Sequence, residues 1–174
     1  TNKLISSLDF AGQLHKIALE IEDEDAAVQL IVLAGEIARH GFGLGEIHLR
    51  INAVQLRNAM GVADFEGGSP PFHDVRSRVL LDDLCNRIKS ESSWEINFQS
   101  LSEENATARR QLMLATQILK HIDCDQPIRL LIAECEKPVT IMTALYLAHK
   151  FGIADRLDIS PLFETTFGLE HGVD

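Results

Sequence analysis

Ile128-Arg129-Leu130-Leu131-Ile132-Ala133, the stretch from Pro138 to Phe151-Gly152, and Leu157-Asp158-Ile159-Ser160-Pro161-Leu162-Phe163 decide the fold. The first is a continuous apolar run bounded by charges, which predicts a buried strand. Pro138 is suited to a first helical turn, and Ile141, Ala144, Leu145 and Ala148 follow at helical spacing before Phe151-Gly152 ends the pattern. The third stretch predicts another strand, despite its internal proline. Strand, helix and strand in so few residues form a βαβ unit. Both strands read as buried on two sides, which predicts a parallel sheet covered by helices.

Further upstream, Glu46-Ile47-His48-Leu49-Arg50-Ile51 alternates and predicts a strand with Arg50 near its C-terminal end. His48 is read as a structural residue facing the other side from Arg50. Residues 52–60 begin a helix or a lid, 61–74 carry the loop signature Gly67-Gly68-Ser69-Pro70-Pro71, and Val75 to Ile88 is helical. Residues 89–98 are polar and irregular apart from Trp94, a packing anchor. Leu101 or Ser102 is expected to cap a helix reaching His121, with Glu103 and Glu104 in its first turn. At the start of the chain, Leu14, Ile17, Ala18 and Ile21, and then Ala27, Leu30, Ile31, Ala34, Ile37 and Ala38, form two helical stripes. An acidic turn at Glu20 to Asp25 is expected to separate them, with one longer helix as the alternative, and Gly41 follows the second. The expected organisation is a single domain or part of a larger one. Residues 1–45 form a helical lead-in, 46–127 a first strand with a helical insertion, and 128–174 the βαβ unit.

Composition narrows the function classes. The 174 residues include 16 basic and 26 acidic side chains, a net charge of −10, which argues against nucleic acid as the main partner. No apolar run approaches the roughly 20 residues of a membrane span, and the first residues lack the basic-then-apolar pattern of a signal peptide. Cys85, Cys124 and Cys135 lack paired spacing, so reduced thiols in a cytosolic compartment are expected. Thr1 is an unusual start and implies that residues once preceded it. No dinucleotide fingerprint, phosphate-binding Gly-Lys-Ser/Thr loop, zinc-type histidine pair or serine elbow is present.

In parallel α/β folds, ligands gather at the C-terminal ends of strands. Here those ends carry Arg50, then Glu134 and Glu136, then Glu164. Arginine offers a donor fork for phosphate or carboxylate, and a neighbouring carboxylate suits a hard cation. Each residue also has a plainer reading. Arg50 can pair with a structural acid, Glu164 can cap a helix starting near Thr165-Thr166, and Glu134 and Glu136 can be solvated loop charges.

Asp158-Ile159-Ser160-Pro161-Leu162-Phe163-Glu164-Thr165 resembles the PLFET strand of the phosphoenolpyruvate carboxylase family. The segment ending His48-Leu49-Arg50-Ile51 resembles the family's Asp-Ile-Arg-Gln stretch; the arginine matches, the acidic and glutamine positions do not. Pro138-Val139-Thr140 likewise departs from the family's Pro-Ser-Asp. The resemblance implies a partial TIM-type β/α barrel with parallel strands and many flanking helices, within a longer, homo-oligomeric cytoplasmic enzyme. Such an enzyme makes oxaloacetate and phosphate from phosphoenolpyruvate and bicarbonate, using Mg²⁺ or Mn²⁺. It further implies that Arg50 is a catalytic and substrate-binding residue and Glu164 a metal ligand. The family's later metal-binding aspartate, catalytic histidine and mobile loop have no counterpart here, so the chain alone is expected to be inactive. A non-catalytic stand-alone relative that binds an anion or a protein is the alternative.

Overall fold

A computed structural model of the chain describes residues 6–43, 46–60, 75–121 and 126–172. The described residues form eight α-helices and a three-stranded open parallel sheet, a mixed α/β fold. The chain divides into two compact units, one comprising Thr1–Ile47 with Ile118–Pro127, the other His48–Gln117 with Ile128–Asp174. No helix among the described residues is long and apolar enough to cross a membrane.

The first unit is built on a helix pair, α1 (Ser7–Glu20) and α2 (Glu24–His40). The acidic turn expected between them is present. Asp23 caps α2, its Oδ1 accepting from Asp25 N at 3.0 Å and Ala26 N at 3.1 Å. Such a cap contributes about 1 kcal/mol. Helix α1 begins earlier than its stripe indicated, because Ser6 caps it through Asp9 N. Gly41 ends α2 at φ 69°, a left-handed conformation suited to glycine, and donates to Ile37 O. Ala11, Leu14, Ala34 and Ile37 form the shared core, with the Phe10 and Phe42 rings 6.0 Å apart beside it. Two members of the expected stripes lie elsewhere: Ile17 and Ile31 are 49% and 43% exposed.

The second unit carries the sheet. Strands β1 (His48–Asn52), β2 (Ile128–Ala133) and β3 (Leu157–Pro161) lie in the order β1-β2-β3, all parallel. Arg50 registers with Leu131, and Ile132 with Pro161. Helix α7 (Pro138–Lys150) and one 3₁₀ turn, Ala154–Arg156, join β2 to β3, completing the expected βαβ unit. Proline stands in the first turn of α7, and Gly152 leaves it at φ 68°. Between β1 and β2 run α3 (Ala53–Met60), α4 (Val75–Ser90), α5 (Phe98–Glu103) and α6 (Thr107–His121). The core is made by Ile51, Leu56, Leu84, Leu112, Leu130, Ile132 and Leu147, each at most 1% exposed. Burying each such side chain stabilises the fold by about 1.5–3 kcal/mol.

The structure corrects several expectations. Neither strand is buried throughout: in β2, Ile128, Leu130, Ile132 and Ala133 are buried while Arg129 and Leu131 are half-buried, and of β3 Leu157 alone is buried, because β3 is an outer strand of the open sheet. Asn97 caps the short helix α5, so Glu103 ends that helix and Glu104 is its C-cap, instead of the two opening a longer helix. Glu104 then accepts from Ala106 N at 2.9 Å and helps start α6. The glycine-proline loop expected at 61–74, and Cys124, fall outside the described residues.

Candidate functional site

Arg50 leaves β1 two residues before its end, and Glu164 stands three residues beyond β3. Both therefore belong to the C-terminal rim of the sheet. The structure brings them together: Arg50 Nη2 donates to Glu164 Oε2 at 3.1 Å and to Oε1 at 3.3 Å. Their side chains are 61% and 39% exposed, so the pair sits in the open mouth of the rim and not in the core.

The rim between β2 and β3 is stitched by backbone and side chain. Glu134 ends β2 at φ 55°, an unusual conformation for a residue with a side chain. That turn lets Glu134 N donate to Glu164 Oε1 at 3.2 Å. Cys135 N donates to Leu162 O at 3.3 Å, and Thr165 Oγ1 donates to Glu136 Oε1 at 2.7 Å. Thr165 also caps α8 (Thr166–His171) by accepting from Gly168 N at 3.0 Å. The helix-cap role considered for Glu164 thus belongs to its neighbour. Glu134 contributes its backbone, and Glu136 orients the loop that carries Glu164.

His48 is corrected as well. It stands two residues from Arg50, and a strand repeats every two residues, so both project from the same side; both are exposed. The position next to Arg50, where the resembled motif has glutamine, is Ile51, which is 1% exposed in the core. A glutamine there would bury an amide, so this departure reflects packing. Asn52 instead makes a reciprocal cap for α3. Its Oδ1 accepts from Gln55 N at 2.8 Å while Gln55 Oε1 accepts from Asn52 N at 3.0 Å. The pattern Asn52-Ala53-Val54-Gln55 is a capping box readable in sequence.

A cavity of about 130 Å³ adjoins the rim, lined among others by Cys135, Lys137, Ile141, Phe163 and His171. Cys135 is 1% exposed, and burial pushes its thiol pKa up, so it is held as the neutral thiol and not as a nucleophile.

For a divalent cation, the fit is incomplete. Hard cations take about six oxygen ligands. Glu164 offers one carboxylate, already engaged by Arg50 and Glu134 N. No group of three or more His, Cys, Asp or Glu side chains among the described residues is placed to hold a metal.

A second polar cluster lies where α4, the 91–97 segment and the end of α7 meet. Glu91 accepts from Arg87 Nε at 2.9 Å, Tyr146 OH at 2.9 Å and Lys150 Nζ at 3.1 Å. These donors, Arg87 first, draw its carboxyl down to about pH 2. Lys150, 5% exposed, also donates to Ser92 O at 2.6 Å, and the Arg87 guanidinium bonds the Tyr146 hydroxyl. Trp94 meets Phe151 edge-on at 5.4 Å, with Lys150 and Arg109 4.9 and 5.4 Å from its ring centre. Trp94 is 42% exposed yet anchors the segment, as expected. Helix α7 leaves the C-terminal end of β2 and returns to the start of β3. Its last turn therefore lies toward the strand starts, away from Arg50, and this cluster holds structure together.

The chain matches no family model, no curated protein and no solved structure.

Proposed function

We propose that the chain is part of the catalytic β/α barrel of a phosphoenolpyruvate carboxylase, and that its rim receives the phosphorylated substrate at Arg50. The observation that carries the reading is the meeting of Arg50 and Glu164 at 3.1 Å from the ends of two different strands. They are the two residues on which the family resemblance depends. The strand order adds support: successive strands of a β/α barrel lie side by side and parallel, as β1-β2-β3 do. The Mg²⁺ or Mn²⁺, the homo-oligomeric state and the cytoplasmic setting of the complete enzyme belong to the same proposal.

In the carboxylase reaction, bicarbonate attacks phosphorus, and the products are carboxyphosphate and the enolate of pyruvate; carbon dioxide from the former is then captured by the latter. Negative charge builds on the phosphoryl oxygens, and a guanidinium fixed beside them stabilises that charge. Arg50 is exposed enough to be reached by an anion and is oriented by Glu164, which is itself held by Glu134 N. A phosphate approaching Arg50 competes with Glu164 for the same Nη2. A divalent cation in the complete enzyme would neutralise enolate charge, and Glu164 is the anchor this reading assigns to it. Its further ligands would come from outside the described side chains.

One observation favours a second reading, a non-catalytic relative that binds an anion or a protein. The Glu164 carboxylate is already neutralised by Arg50. The proposal is tested by assay. Phosphoenolpyruvate is titrated into the chain, and oxaloacetate is followed with bicarbonate and Mg²⁺ present. The proposal expects binding that Arg50→Ala weakens, and no turnover by these 174 residues alone. Absence of binding by phosphoenolpyruvate would defeat it; turnover at enzymatic rates would overturn the claim that the chain is only a part.

A further inference from the structure

We infer that α2 is a homotypic docking helix, through which two copies of this chain pair antiparallel about a two-fold axis. Its inner face is committed to α1 through Ala34 and Ile37. Its outer face carries a second apolar stripe that lies outside the core shared with α1. Val28, Ile31 and Val32 are 58%, 43% and 58% exposed, and Gly35 lies one turn on, with open space where a side chain would stand. These positions follow the three-and-four spacing that keeps residues on one side of a helix. The same spacing, continued in both directions, reaches Asp25 at one end and Arg39 at the other.

Charge selects the occupant and its direction. The first turn of α2 is acidic, with Glu24 and Asp25, and its last turn is basic, with Arg39 and His40. An inverted copy of the same helix sets each acidic end against a basic end and stacks the apolar stripes between them. A parallel copy would set like against like, which is unfavourable. Gly35 permits close approach of the two backbones near the middle of the contact. The 17-residue helix is about 25 Å long, and one stripe of that length buries less than the roughly 1,200 Å² of a stable interface. The pairing is therefore weak and concentration-dependent.

Sedimentation velocity on the full 174-residue chain, over a wide concentration range, tests this. A reversible monomer–dimer equilibrium is expected. Val32→Glu, at an exposed position that leaves the core intact, abolishes the dimer while the far-ultraviolet circular dichroism stays native. Glu24→Arg and Arg39→Glu singly raise the dissociation constant roughly tenfold, because the two-fold axis counts each contact twice. The double charge swap restores it. A chain that stays monomeric throughout overturns the inference. A dimer indifferent to Val32→Glu, or one that the double swap fails to rescue, overturns it equally, since the contact then lies elsewhere.

Discussion

Arg50 and Glu164 make an ion pair across a strand that contributes to neither: β2 lies between β1 and β3, and the pair closes above its end. Two strand spacings are about 10 Å. That gap is spanned because Glu164 stands beyond the end of β3, because arginine is long, and because Glu134 N holds the carboxylate at 3.2 Å. The contact joins residues 114 positions apart at the rim where parallel folds bind ligands.

Removing this pair should cost the fold little. Both side chains are substantially exposed, and such pairs contribute about 0–1 kcal/mol. Urea denaturation of Arg50→Ala and Glu164→Gln is expected to give midpoints close to that of the parent chain. A loss of several kcal/mol would assign the pair to structure and remove the argument for a binding role.

The Glu91 cluster should behave in the opposite way. Lys150 is 5% exposed and donates to both Ser92 O and Glu91, so Lys150→Met strands a carbonyl and a carboxylate that it now satisfies. A loss of roughly 2–4 kcal/mol is expected, and about 1–2 kcal/mol for Tyr146→Phe, by the usual cost of removing one partner of a buried polar contact. Chemical denaturation with tryptophan fluorescence reads both, since Trp94 is the sole tryptophan and sits against Lys150.

Acid should loosen the same cluster. The Glu91 carboxyl falls from an ordinary 4.5 to about 2, through Arg87 first and then Lys150 and Tyr146. A carboxylate with a lowered folded-state pKa contributes its stabilisation fully above the unfolded value and loses it as pH falls toward the folded one. The cluster should therefore weaken between about pH 4.5 and 2. Stability measured across that window should fall less steeply in Glu91→Gln than in the parent; identical slopes would show that Glu91 is not the titrating group.

The two left-handed glycines should differ. Gly41 has φ 69° and ψ −168°, a combination open essentially to glycine alone, and a Cβ there would meet Gln126 Cγ at 2.6 Å. Gly152 has φ 68°, and a methyl group there would make only ordinary contacts, the closest with Ser93 Cβ at 3.7 Å. Alanine is expected to cost roughly 1–2 kcal/mol at Gly152 and more at Gly41, as thermal denaturation would report.

How much of this was legible depended on locality. The βαβ unit was legible because its apolar runs, Pro138 and Gly152 all act within a few residues, and β2 fell at the expected residues, Ile128–Ala133. Helix α5 was missed although Asn97-Phe98-Gln99-Ser100 carries its cap, because the surrounding polarity hid the short turn. The stripes misplaced Ile17 and Ile31, since periodicity reports a face but not which of two apolar faces is buried. Arg50 and Glu164 could be named as rim residues from strand ends alone. Their direct pairing could not, nor could the convergence of Arg87, Tyr146 and Lys150 on Glu91, because those contacts depend on how distant segments pack.

The most direct test of the binding role is calorimetric titration of phosphoenolpyruvate into the chain and into Arg50→Ala, with and without Mg²⁺. The account predicts saturable binding to the parent and a loss of at least tenfold in the variant, the equivalent of about 1.4 kcal/mol. Equal affinity in the two proteins, or no binding to either, would contradict it.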